Sequence, residues 1–86
     1  MTITRDTIAD RISAYLRHDI TLSQLVEWSE SAMMDGEVDA RDAAKLTAAI
    51  ARLGVADVRA FGLTWEDCQS ILADLGYTAR VEVVAA

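Results

Sequence analysis

The same pattern of helix start and helix stop occurs three times along this chain. A residue that commonly caps helices opens each of three segments with an apolar stripe, and a glycine closes it. The segments run from Thr21 to Gly36, from Asp39 to Gly54 and from Thr64 to Gly76. Each pattern predicts a helix followed by a new element, and Gly36 can take the left-handed conformation with which many helices end.

A further helix is predicted ahead of these three. It runs from about Arg5 to His18 with Thr4 as the N-cap, and its apolar residues share one arc at about 3.6 residues per turn: Ile8, Ile12, Tyr15 and Leu16. In the second helix Gln24 stands three residues after Thr21, which is the spacing of a capping box. Asp39 is the predicted N-cap of the third helix, and Thr64 and Asp67 open the fourth.

The apolar stripes predict which side chains are buried. They are Leu22, Leu25, Val26, Ser29, Ala32 and Met33 in the second helix, Ala43, Leu46, Ile50 and Leu53 in the third, and Cys68, Ile71, Leu72 and Leu75 in the fourth. Ala44, Ala48 and Ala51 line a flank of the third helix where another helix or a second chain can approach closely. Residues 55–62 fit either a one-turn helix or a short strand.

After Gly76 the sequence alternates in the manner of a β-strand. Tyr77, Ala79, Val81 and Val83 fall on one face, and Thr78, Arg80, Glu82 and Val84 on the other. A strand needs a ladder partner for its backbone groups. We expect Tyr77 to Val84 to pair either in parallel with residues near 57–62, with the fourth helix as the crossover, or with the same strand of a second chain in a two-fold dimer.

The predicted fold is therefore mainly α, in the α+β class: a small bundle of about four helices with a C-terminal β-strand. A chain of 86 residues has room for one domain, and we assign residues 1–86 to it. Its apolar fraction of 52% excludes a disordered tail. A chain this short buries only about 60% of the surface of its unfolded form, and such thin cores are often completed by self-association.

Charge and cysteine content limit the function classes. The formal net charge is −6, which repels phosphate backbones and favours a basic partner or simply good solubility. Cys68 is the only cysteine, which fits a reducing compartment. We see no charged-then-apolar leader and no run near the roughly 20 apolar residues that a membrane span requires. We therefore expect a cytoplasmic protein.

The acidic stretch around Asp39 resembles the start of a calcium loop but fails at its most specific positions. Counting from Asp35, the sixth position holds Ala40 instead of glycine and the twelfth holds Leu46 instead of a bidentate glutamate. Asp39 is better explained as a cap, and Asp42 as a favourable charge near the helix start. We predict no metal site and no cofactor.

No residue carries a clear catalytic signature. Cys68 lies on an apolar helix face and is predicted to be a small buried hydrophobe. His18, the only histidine, stands at the end of the first helix, where a cation complements the helix dipole. We therefore predict no catalytic residues. An alternative is a ligand-binding protein or enzyme with a pocket near Cys68, Tyr77 or His18.

Exposed helical surface is what remains to carry a function. Glu27, Glu30 and Met34 project outward from the second helix, and Trp28 and Trp65 lie at the borders of their apolar stripes, where tryptophan can anchor a partner. These five residues are the predicted interaction surface of a protein–protein interaction module that binds another protein or a second copy of itself.

The third helix offers a basic stripe as a further alternative. Arg41, Lys45 and Arg52 project at nearly the same angle, and a short glycine-containing turn precedes the helix. This arrangement is compatible with a helix-turn-helix DNA binder. Three cations are few for such a protein, given the acidic net charge.

In length, acidity and helix content the chain is similar to the small immunity proteins that neutralise nuclease bacteriocins. Those proteins carry an adjacent tyrosine pair in a short binding helix and have no terminal strand, whereas Tyr15 and Tyr77 are far apart here. The resemblance implies an acidic helical protein that binds another protein. It assigns no role to any single residue.

Overall fold

The computed structural model describes residues 2–85, and this part of the chain contains four α-helices and one small sheet. In chain order the elements are β1 (Thr2–Ile3), α1 (Arg5–Leu16), α2 (Leu22–Asp35), β2 (Glu37–Val38), a 3-10 turn (Ala40–Asp42), α3 (Ala43–Gly54) and α4 (Trp65–Asp74). The expected mainly helical fold is confirmed. None of the described helices is both long and apolar enough to span a bilayer.

Threonine side chains start three of the helices, as predicted. The Thr21 hydroxyl accepts the backbone N–H of Gln24 at 3.1 Å, and the Gln24 side chain accepts the Thr21 N–H at 2.8 Å. Thr64 and Asp67 make the same reciprocal pair at the start of α4, and Thr4 makes one with Thr7 at the start of α1. These capping boxes satisfy backbone donors that have no partner inside the helix.

Asp39 caps the 3-10 turn instead of α3 itself. Its carboxylate accepts the Arg41 N–H at 3.0 Å, and the turn then leads into α3 at Ala43. The predicted N-cap is therefore in the right place but acts one turn earlier than expected.

The two strands form a parallel pair that the sequence analysis did not foresee. Thr2 pairs with Glu37 and Ile3 with Val38, and the Asp39 N–H donates to the Ile3 carbonyl at 2.9 Å. Ile3 is fully buried. Strands of two residues are too short to show an alternating pattern, so the pairing fastens the N-terminus to the α2–α3 connection without a local sequence signal.

Gly36 is extended, with φ −84° and ψ 151°, so the prediction of a left-handed helix end is wrong at this position. Space requires the glycine. A Cβ atom here would lie 2.6 Å from the Ala32 carbonyl oxygen and would also collide with the Ile3 side chain. The chain can pass from α2 directly into β2 only because no side chain occupies this point.

The core lies between α1, α2 and α3, and α4 covers one side of it. Among residues 2–85, fifteen hydrophobic side chains are buried: Ile3, Ile8, Ile12, Leu25, Val26, Ala32, Leu46, Ala49, Ile50, Leu53, Ala56, Cys68, Ile71, Leu72 and Leu75. The contact between α2 and α3 is the most extensive one between two helices of the described chain, and in it the buried Ser29 hydroxyl donates to the Ile50 carbonyl at 3.1 Å. The predicted core is largely confirmed, but Met33 is 57% exposed because it lies at the edge of the α2–α3 contact.

The predicted C-terminal strand does not form within the described chain. Residues 77–85 have no regular secondary structure, and residues 55–61 form turns. In those turns the Val58 N–H donates to the Val55 carbonyl and the Phe61 N–H to the Val58 carbonyl. The proposed partner residues therefore use their backbone groups locally, and parallel pairing near residues 57–62 is wrong. Pairing with a second chain stays a prediction.

Candidate functional site

The outward face of α2 presents three of the predicted surface residues together. Glu27, Glu30 and Met34 are spaced by three and four residues, so they lie above one another on the helix. All three are exposed, and Met34 is 82% exposed. Neither glutamate forms an ion pair within residues 2–85. We call these three residues the α2 face.

A small apolar cavity lies beside the α2 face, at the seam between α2, β2 and α3. Its volume is about 190 Å³. It is lined by Ala32, Met33, Gly36, Val38, Thr47 and Ile50. The exposed Met33 side chain forms part of its wall, so the C-terminal end of α2 offers apolar contact area next to carboxylates. The apolar stripe of the second helix predicts Met33 in the core, and no sequence pattern indicates this seam.

Trp28 lies on a different side of α2 from the α2 face. It is half-buried against the core, and the Arg11 guanidinium sits over its ring at 5.4 Å from the centroid. The indole N–H is buried and has no hydrogen-bond partner among the described residues. Trp28 therefore holds α1 and α2 together and presents little free ring surface to a partner.

Trp65 is the first residue of α4 and is half-buried. It follows the Thr64 cap, and Asp67 stands two residues later. The Thr64 backbone N–H holds the pKa of the Asp67 carboxyl below its usual value, and the Arg52 guanidinium adds to this effect. The start of α4 is therefore capped by a charged side chain, but it lies on another helix from the α2 face.

Two of the three cations in the predicted basic stripe form ion pairs within the described chain. The Arg52 Nη2 atom lies 3.2 Å from the Asp67 carboxylate, and the Arg41 Nη2 atom lies 3.5 Å from the carboxylate of Asp39. Only Lys45 of the three makes no ion pair within the described chain. In addition, α2 and α3 are joined by residues 36–42, which include β2 and the 3-10 turn, whereas a helix-turn-helix uses about three or four residues. This geometry argues against DNA binding.

A long open groove separates α3 from α4, with a volume of about 670 Å³. Alanine and serine side chains line its middle, and the Arg52–Asp67 pair bridges one end. The groove exists because α4 makes few close backbone approaches to the other helices and contacts them through its longer side chains. Its charged side chains are Lys45 and Arg52 from α3 and Asp67 and Asp74 from α4, and two of these, Arg52 and Asp67, already pair with each other.

Cys68, Tyr77 and His18 do not form a common site. Cys68 is fully buried, and burial raises the pKa of its thiol to about 11, whereas His18 is exposed. The Tyr77 hydroxyl donates a hydrogen bond to the Asp6 carboxylate, which raises the pKa of Tyr77. A thiol that is neither accessible nor ionised is a poor nucleophile. The alternative of a reactive pocket near these residues gains no support.

Tyr77 is held by two residues at the start of α1, a contact that the sequence does not predict. The Arg5 guanidinium lies over its ring at 5.7 Å from the centroid, while the Asp6 carboxylate accepts a hydrogen bond from its hydroxyl. Residues separated by about seventy positions thus meet at the start of α1. No local pattern signals such a contact.

Within residues 2–85 no group of three or more histidine, cysteine, aspartate or glutamate side chains is placed to hold a metal ion. Comparison with protein-family models, with curated proteins and with solved structures gives no match.

Proposed function

We propose that this protein is a small interaction module that binds a basic segment of a partner protein through the α2 face. One observation carries the proposal: Glu27, Glu30 and Met34 are exposed together, and the two glutamate carboxylates form no ion pair within the described chain.

Charge and shape favour this kind of partner. A chain of net charge −6 attracts basic segments over a long range, and two unpaired carboxylates on one helix face give that attraction a definite place. Methionine is unbranched and polarizable, so it adapts to apolar side chains of different shapes. The exposed Met34 and Met33 would contact the apolar side of the segment, while the glutamates would contact its lysines or arginines.

A cytoplasmic location belongs to the same proposal, whereas self-association is a separate proposal that uses another part of the chain. A single buried thiol suits a reducing compartment. Trp65 is retained as a secondary contact on α4, whereas Trp28, which lies on another side of α2 and packs against the core, would be a structural residue.

A titration with a defined basic peptide tests the proposal. The probe is a synthetic amphipathic helix of about 15 residues with lysines on one side and leucines on the other. Its binding is measured through the NMR chemical shifts of the isotope-labelled protein. We expect shifts concentrated at Glu27, Glu30 and Met34. The double variant E27K/E30K should bind at least tenfold more weakly, because two exposed ion pairs contribute roughly 0.5–1 kcal/mol each and the lysines add repulsion.

The matched control is the double variant D57K/D74K. Asp57 and Asp74 are exposed and make no ion pair within residues 2–85. Each double variant raises the formal net charge from −6 to −2, because every carboxylate-to-lysine change adds two charges. Equal weakening in both variants, or shifts located away from α2, would show that only overall charge is sensed and would contradict the proposal.

A further inference from the structure

The C-terminal segment, residues 78–85, has the exposure of an unpaired strand. None of its backbone groups makes a backbone hydrogen bond to another described residue. Val81, Val83 and Val84 are 68%, 93% and 79% exposed. Exposed β-branched side chains beside unpaired backbone groups are the features by which a segment pairs with another chain.

Tyr77, the residue that precedes this segment, is fixed to the helical part of the protein. Tyr77 is held by Asp6 and Arg5, and its backbone N–H donates to the Leu72 carbonyl at 2.9 Å. Tyr77 and Ala79 both pack against the core. If the segment is extended, Val81 and Val83 continue the side of the strand on which Tyr77 and Ala79 face the core.

We propose that residues 78–84 of two copies of this chain pair as antiparallel strands around a two-fold axis at Val81. In this register a residue that precedes Val81 in one copy lies opposite the residue that follows Val81 by the same number of positions in the other copy. Arg80 of each copy then faces Glu82 of the other, so both charged pairs are complementary. Val83 of each copy faces Ala79 of the other, which brings the most exposed valine beside the second copy's core.

Neighbouring registers lack these matches. A two-fold axis at Arg80 places arginine opposite arginine, and one at Glu82 places glutamate opposite glutamate. A shift by a single residue turns the valines toward the charged face of the other strand. The segment contains one arginine and one glutamate, so pairing adds no net charge at the contact even though the whole chain is acidic.

The two bodies fit beside one another in this arrangement. Eight residue steps separate the two copies of Tyr77 along the paired strands, which corresponds to about 26 Å at roughly 3.3 Å per residue. The shorter dimensions of the molecule are 27 and 22 Å. This spacing is close to those dimensions, so the two bodies can lie side by side on the same face of the strand pair, the face that carries Tyr77 and Ala79. Such a pair of strands is marginal alone, so packing against the two cores is needed for stability.

Charge reversal tests both the partner and the register. Sedimentation velocity at about 100 µM should show a dimer for the wild type. R80E and E82R each place like charges opposite at two points and should raise the dimer dissociation constant at least tenfold. The variant R80E/E82R restores both pairs and should dimerise within about threefold of the wild type. An equimolar mixture of R80E and E82R should form a heterodimer.

Several outcomes would overturn the proposal. A monomeric wild type at this concentration would exclude the second copy as the occupant. A double variant as weak as the single ones, or a mixture that stays monomeric, would exclude the register. The α2 face is not part of this contact, so E27K/E30K should dimerise as the wild type does, and the two proposals can fail separately.

Cross-linking provides an independent measurement of the register. V81C should give a covalent dimer under mild oxidation, because the two cysteines lie opposite each other. V84C is the matched control, since its two cysteines would be about 20 Å apart along the strands. The buried Cys68 should not take part. Equal cross-linking of V81C and V84C would contradict the register.

Discussion

Single residues at helix ends fix most of this structure. Thr4, Thr21 and Thr64 were predicted as caps because capping depends on side chains only three residues away. The backbone role of His18 in ending α1 was not predicted. It has φ 64° and ends α1 in a Schellman motif, with its N–H donating to the Tyr15 carbonyl and the Asp19 N–H to the Ala14 carbonyl. Glycine normally fills this position, so a histidine there gives no signal in the sequence.

Replacing His18 with glycine should stabilise the protein. The left-handed conformation costs a residue with a Cβ atom roughly 1–2 kcal/mol, and the greater flexibility of glycine when unfolded offsets part of the gain. We expect H18G to raise the free energy of unfolding by about 0.5–1 kcal/mol, measured by urea denaturation. H18A keeps the strained backbone and serves as the control. An equal gain in H18A would contradict the assignment of strain to the backbone.

Whole elements were predictable when they carried their own periodic pattern. The four helices did so, and the buried side of α4 was predicted completely. The sheet of β1 and β2 was not predictable, because its two-residue strands are defined by a contact between distant parts of the chain. The alternation of residues 77–84 is equally local information, and without a ladder partner in the same chain it does not make a strand.

The passage from α2 into β2 should tolerate no side chain at Gly36. We expect G36A to lower the free energy of unfolding by about 1–3 kcal/mol, because the added Cβ meets a backbone carbonyl that cannot move away easily. Thermal and urea unfolding would measure the loss. In the control variant G62A the new Cβ has no neighbour within 4 Å and only the left-handed φ of 62° opposes it. A G36A protein as stable as the wild type would refute the close contact.

At the scale of the whole molecule, the sequence indicated which helices form but not how their surfaces meet. Two of the three predicted stripe cations are paired with carboxylates, and Met33 is exposed at a seam instead of buried. The Arg52–Asp67 pair and the exposure of Met33 depend on how one helix faces its neighbour, whereas the Arg41–Asp39 pair is a local contact between residues two positions apart. The α2 face was predictable because it points away from every neighbour.

Stability of the whole molecule should fall in acid. Hydrogen bonds from the Arg41 and Thr64 backbone N–H groups hold the pKa values of Asp39 and Asp67 below the ordinary 3.8. Their contribution is therefore complete above about pH 3.8 and is lost as the pH falls through the lowered values in the folded state. The melting temperature should drop below pH 4, and less steeply in D67N than in the wild type.

The control for this measurement is D57N, which removes an exposed carboxylate that makes no side-chain hydrogen bond within the described residues. The same change of slope in D57N and D67N would mean that the capping carboxylate has no special part in acid unfolding.

Because Cys68 is buried, the reactivity of its thiol can report local opening of the folded protein. The thiol lies on α4 and contacts the core, so a reagent can reach it only after that helix lifts away. The rate of thiol modification in the native protein thus measures how often α4 separates from the core. If a bound partner or a second copy makes this opening of α4 rarer, the rate of thiol modification should fall.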